Sequence, residues 1–169
     1  GLLFLSILIT NVMSIFEEII KKVTILIFFQ TLILDMAGNV GTQTLAATIQ
    51  RLVTNEKLSN KEIKTHIFKE LKVNIINAIF LMGIAFGVCF IFVSLYGTTY
   101  SKLLISFTIS LSIGVTLIVS SLFGTLLPIF FSKIKVNPAI ASGPLITTIN
   151  DIISVLIYFG LAGLLLNLF

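Results

Sequence analysis

The chain has 169 residues, 57% of them hydrophobic and 11% charged, with a net charge of +4 and a mean hydropathy of +1.14. A soluble domain carries about 25% charged residues, so this chain lacks the polar groups to cover a water-facing surface, and a soluble globular enzyme is all but excluded. High apolar content and the lack of a glycine period exclude a disordered or a collagen-like chain.

A helix crosses the roughly 30 Å of bilayer hydrocarbon with about 20 apolar residues. The charge-free stretch at the start, Gly1 to Phe16, is short for that. It reads as a first span clipped at its N-terminus, without the basic region and cleavage site of a signal peptide. Four longer intervals follow, and each is long enough to cross. The expectation is an all-α membrane protein with five transmembrane helices, at about 1–16, 23–50, 73–95, 102–131 and 138–167. Apolar runs such as Ile75–Met82 do not alternate, which sets aside a β-barrel.

The second span holds one charge, Asp35, in Leu34-Asp-Met-Ala-Gly-Asn-Val-Gly-Thr-Gln-Thr44. Helical spacing puts Asp35, Asn39, Thr42 and Gln43 on one face. So much polarity reads as a pore lining rather than as glue between helices. Gly38 and Gly41 permit close backbone approach.

The 51–72 segment is the one long polar stretch. Ser59 or Asn60 reads as a helix N-cap with Glu62 in the first turn. The helix that follows is amphipathic and runs on into the third span. His66, the single histidine, has no partner spaced for zinc or proton relay and reads as a solvated interfacial residue. Gly83-Ile-Ala-Phe-Gly87 in the third span matches a helix-packing pattern of low specificity, and Cys89 reads as packing. The fourth span is rich in Ser, Thr and Gly from Ser106 to Thr125, which suits tight helix contacts, and Pro128 is expected to kink its end. Tyr96, Tyr100 and Tyr158 are the candidates for interface anchoring.

The last span holds Asp151 near its middle. An aspartate at the centre of a lone inserting helix costs about 2.5–3.5 kcal/mol, so it faces a cavity, a partner helix or an ion path. Thr147, Thr148, Asp151, Ser154 and Tyr158 share a broad face, with Asn150 close to it. Pro144 leaves a carbonyl one turn back without its helical donor.

Placement of the basic residues gives topology. The 51–72 and 132–138 loops hold eight Lys and Arg, against three on the opposite side. The positive-inside rule puts those loops and the N-terminus in the cytoplasm and the C-terminus outside a cell (inner or plasma) membrane. The lipid bilayer is thus an expected partner. With no basic–aromatic stripe, nucleic acid is not.

Carboxylate, amide, hydroxyl and carbonyl oxygens are hard ligands suited to Mg²⁺ or Ca²⁺. Neither Asp35 nor Asp151 sits in the Gly-x-Gly-Asp setting of an intramembrane aspartyl protease, and no nucleotide or metalloprotease motif occurs. An enzyme is not expected.

Met36-Ala-Gly-Asn-Val-Gly-Thr-Gln-Thr44 resembles the second-helix signature of the MgtE family, and Val136–Asp151 resembles its fifth-helix signature. Ala37 and Asn137 depart from the usual Gly and Asp. The resemblance implies a homodimeric Mg²⁺ channel of five helices per subunit, its pore on the dimer axis between second and fifth helices. Asp151 would contact hydrated Mg²⁺ together with its symmetry mate, assisted by backbone oxygens at Gly143 and Thr147. Asn39 and Gln43 match the second-helix signature, and Thr42, Thr148 and Asp35 complete the candidate lining. Mn²⁺ or Co²⁺ are further possible cargoes. The soluble N-terminal and CBS domains that regulate the family are not expected within this chain, which reads as a membrane domain cut from a longer protein or as a short member. A cation-coupled carrier on the same fold, and a non-transporting membrane subunit that binds a partner, are the alternative functions.

Overall fold

The computed structural model describes residues 2–54, 59–137, 139 and 143–166, with side chains for 7–54, 59–137, 139 and 146–166. Among the described residues six helices follow one another: α1 Leu2–Ser14, α2 Glu17–Lys22, α3 Leu26–Thr54, α4 Asn60–Tyr96, α5 Lys102–Lys133 and α6 Gly143–Leu165. No strand occurs among the described residues. Three segments are long and apolar enough to cross a membrane: Asn60–Tyr96, Lys102–Lys133 and Ile146–Leu165. At 29 residues α3 has the length as well, but the polar residues at its centre dilute its hydropathy.

The first helix, α1, falls within the expected first span of about 1–16, and a short helix not expected from the sequence follows it. Helix α1 has 13 residues, a rise of about 20 Å at 1.5 Å per residue. A turn at Ile15–Phe16 separates it from the short α2. In α2 the acids Glu17 and Glu18 open the helix and Lys21 and Lys22 close it, each sign at the dipole end that favours it. Lys21 bonds Glu17 at 2.7 Å, and this hydrogen bond holds the Glu17 carboxyl below its usual range. Phe16 and Ile19 are buried, and Phe16 stacks on Phe159 of α6.

Helix α5 is the centre of the fold. It packs along both α4 and α3 and also contacts α6, while α3 packs on α6. Small side chains make this possible. Ser106, Thr108, Ser110, Ser112, Gly114, Thr116, Ser120, Ser121, Gly124 and Thr125 are all buried. Many of the hydroxyls are satisfied within the helix, as where Ser112 and Thr125 donate to Thr108 and Ser121 carbonyls at 2.7 and 2.9 Å. The expectation of tight contacts for this span therefore holds. Pro128 lies inside α5 without ending it. The helix closes with paired bonds from Lys135 N–H to the Ser132 carbonyl and from Val136 N–H to the Phe131 carbonyl, at 3.1 and 2.9 Å. This is a Schellman cap, and its left-handed position is filled by Lys135 at φ 59° instead of by glycine.

Helix α4 starts where the sequence places it. Ser59 is the N-cap, and Ser59 and Glu62 form a reciprocal capping box. The bonds to Ser59 hold the exposed Glu62 carboxyl below its usual range. Along α3, α4 is fastened near its two ends. At one end Phe28 and Phe29 meet Phe92 edge-on, and Phe92 stacks on Tyr96 at 4.3 Å. At the other end His66 bonds Thr48 at 3.0 Å.

Two expectations fail here. His66 is 7% exposed, not solvated. The Gly83–Gly87 pattern is not a packing surface within the chain, because both glycines face open space. The close approaches are elsewhere: Gly114 lies against the Met82 side chain, and Gly124 against the Gly41 carbonyl, Thr44 and Leu45.

Candidate functional site

Asp35 and Asp151, the two carboxylates expected at membrane depth, sit on helices that pack together, α3 and α6. The buried face of α3 carries Ile33, Ala37, Gly41, Thr44 and Thr48. Asn150 of α6 is fully buried against it and donates through Nδ2 to the Ala37 carbonyl at 3.4 Å. Its amide occupies the space that a Cβ on Gly41 would need. On its other flank Gly41 meets Gly124 of α5, so three helices converge where α3 has no side chain. Farther along, Tyr158 hydroxyl donates to the Leu26 carbonyl at 2.7 Å. Tyr158 is therefore an internal strut and not the interface anchor expected of it. Among the described residues, Thr116 Oγ1, Ser120 Oγ and Asn150 Oδ1 are buried in these packed helices without a hydrogen bond.

Asp151 follows Asn150 and is half-buried. Among the described residues no hydrogen bond or ion pair reaches its carboxylate. Thr147, one turn earlier, is also half-buried, and Thr148 is buried. Gly143 opens α6. The signature residues Pro138 and Ile140 to Ser142 lie outside the described residues, as does the backbone irregularity expected around Ala141.

The polar stripe of α3 lies on the side away from Ala37 and Gly41. Asp35, Asn39 and Gln43 are exposed and Thr42 is half-buried. Asn39 Nδ2 donates to Asp35 Oδ2 at 3.3 Å. Thr42 hydroxyl turns back to the Gly38 carbonyl at 2.8 Å. Asn39 and Gln43 also border a cavity of about 350 Å³ between α3 and α4, closed on the far side by Asn77, Phe80 and Leu81. Asn77 is thus a third amide at this place. Its signal in the sequence was an amide one turn beyond Asn74 in an otherwise apolar run. Within one chain Asp35 and Asp151 are not joined by any hydrogen bond, and the described residues contain no cluster of three His, Cys, Asp or Glu side chains.

The arrangement is therefore a hard-oxygen surface split between α3 and α6, with one carboxylate that no described residue bonds. Residues 30–161 match the family model MgtE, described as a divalent cation transporter. The chain is 40% identical to the magnesium transporter MgtE of Bacillus subtilis (strain 168) over 162 residues, covering 95% of this chain and 34% of that protein. It is 34% identical to the protein of the same name from Enterococcus faecalis, covering 99% of this chain and 35% of the relative. With the one from Thermus thermophilus the identity is 27%, over 94% of this chain and 33% of the relative. The chain thus spans about a third of the length of these curated relatives.

Proposed function

The chain belongs to the MgtE family of divalent cation transporters, and on that premise we propose that two copies form a membrane channel passing hydrated Mg²⁺ down its electrochemical gradient. The observation that carries the proposal is the half-buried Asp151 carboxylate, which no described residue bonds. An acid at the centre of an apolar helix needs water, a partner or a cation. Mg²⁺ dehydrates reluctantly and keeps several waters, so one carboxylate per subunit among neutral oxygens suits it better than a cage of acids. Two Asp151 side chains across a two-fold axis balance one divalent charge. Backbone oxygens at Gly143 and Thr147 would take further waters of the ion.

The α3 stripe supports the homodimer. Asp35, Asn39 and Thr42 point away from their own chain's core, and exposed amides and acids are costly against lipid. A second copy presenting the same stripe gives them a polar neighbour, with Gln43 at the edge. Thr148, buried inside its own chain, belongs to packing rather than to the path. On this reading, five spans per subunit put the N-terminus in the cytoplasm and the C-terminus outside, with α1 in the first crossing.

The test is Mg²⁺ uptake by a Mg²⁺-uptake-deficient strain expressing the chain. Asp151→Asn should lower flux at least about tenfold, because the paired anionic charge is lost, while Asp35→Asn should lower it less. Wild-type flux from a dimeric Asp151→Asn protein would remove Asp151 from the path. An equal loss from Asp35→Asn would add Asp35 to it.

A further inference from the structure

A second polar cavity lies at the cytoplasmic end of α3 and α4, away from Asp151. It has a volume of about 300 Å³ and is lined by Ala47, Gln50, Arg51, Thr54, His66, Lys69 and Glu70. Its signs are mixed: two cations and one carboxylate surround a buried imidazole. The imidazole has a defined polarity. Thr48 hydroxyl already donates its single proton to the Thr44 carbonyl at 2.8 Å. With that proton engaged, the tautomer that completes the 3.0 Å contact between Thr48 Oγ1 and His66 Nε2 is the one whose Nε2–H donates. In the neutral ring, Nδ1 keeps its lone pair. That lone pair stands 3.9 Å from Glu70 Oε1. The cavity thus presents two hydrogen-bond acceptors, Nδ1 and the Glu70 carboxylate, together with two cationic donors, Arg51 and Lys69.

We propose that this cavity binds a phosphoethanolamine group, with the ammonium at Glu70 and His66 Nδ1 and the phosphate at Arg51 and Lys69. A primary ammonium donates hydrogen bonds to both acceptors; a trimethylammonium cannot. A purely anionic phosphate group would meet the Glu70 charge, and a bare cation would meet Arg51 and Lys69. Gln50 and Thr54 add neutral hydrogen-bonding groups at the rim. The location favours a membrane lipid as the source. The cavity sits where the basic cytoplasmic segment begins, and Val53 and Phe68, from the same two helices, are 68% and 71% exposed, apolar surface for acyl chains beside charged heads.

The chain in nanodiscs of phosphatidylcholine doped with phosphatidylethanolamine, with its N,N-dimethyl analogue or with phosphatidylglycerol tests this. Lipid retained after extraction is read by native mass spectrometry. Wild type should retain phosphatidylethanolamine at least about fivefold over phosphatidylcholine and over phosphatidylglycerol. Glu70→Gln should erase that preference, and Lys69→Gln should weaken retention of both zwitterionic lipids alike; unchanged circular dichroism shows that each variant is folded. Retention that millimolar glycerophosphoethanolamine does not displace assigns the lipid. Binding of that soluble compound without lipid preference assigns the free headgroup, by the same chemistry. Equal retention of ethanolamine and choline lipids without binding of glycerophosphoethanolamine, a phosphatidylglycerol excess, or a preference that survives Glu70→Gln overturns the proposal.

Discussion

Single residues show where this chain departs from the least strained choice. Lys135 occupies the left-handed position of the α5 cap at φ 59°, a conformation that costs a side-chain-bearing residue about 1–2 kcal/mol. Lys135→Gly should therefore raise stability by up to about 1 kcal/mol, seen as a higher melting temperature in detergent. The Ser59–Glu62 box works in the other direction. Ser59→Ala should cost about 1 kcal/mol. Because Glu62 is held below its unfolded range, its contribution is present above the usual carboxylate range. It is lost as pH falls through the lowered folded value. In an acid titration the stability gap between wild type and Glu62→Gln should be present above about pH 5, the top of the usual carboxylate range, and should close as pH falls below it. The capping box was legible in the sequence because it is local. The burial of His66 was not, because it depends on Thr48, eighteen residues away and on another helix.

At the scale of elements, the Ser, Thr and Gly content of α5 announced a helix that others could approach closely, and the structure makes it the centre. The GxxxG pattern in α4 announced the same and misled, since a pattern of small residues does not say which way it faces. Two substitutions separate these cases. Gly124→Ala drives a methyl group into the Gly41 carbonyl and the α3 backbone, and should destabilise by about 1–3 kcal/mol through forced backbone shifts. Gly83→Ala meets nothing and should be neutral or stabilising by up to about 1 kcal/mol through helix propensity. Thermal unfolding of both variants in one detergent checks the contrast. The turn that ends α1 and starts the unexpected α2 also belongs to this scale. Its cause is at Phe16, which turns inward to stack on Phe159, a contact with a residue near the other end of the chain.

For the whole molecule, composition and charge placement made the helical membrane class legible, and the two signatures made the family legible. The assembly is the part that one chain does not contain. If the α3 stripe faces a second copy, Thr42→Cys in a Cys89→Ser background should give oxidised dimers in membranes. Ile91→Cys, on the exposed side of α4, should stay monomeric on a non-reducing gel. Dimers from Ile91→Cys with none from Thr42→Cys would place the interface on α4 instead.

Asn150 and Asp151 are consecutive, so on a helix they point about 100° apart. One is wedged into the gap left by Gly41; the other has no bond from any described residue. A roll of α6 about its own axis would re-aim the Asp151 carboxylate, but it would also lever Asn150 out of its notch. The direction of the acid is therefore indexed to α3 as a key is to its slot. A shift of the carboxylate that keeps Asn150 seated therefore carries α3 with α6, and the contact of Gly124 with the Gly41 carbonyl ties α5 to the same pair.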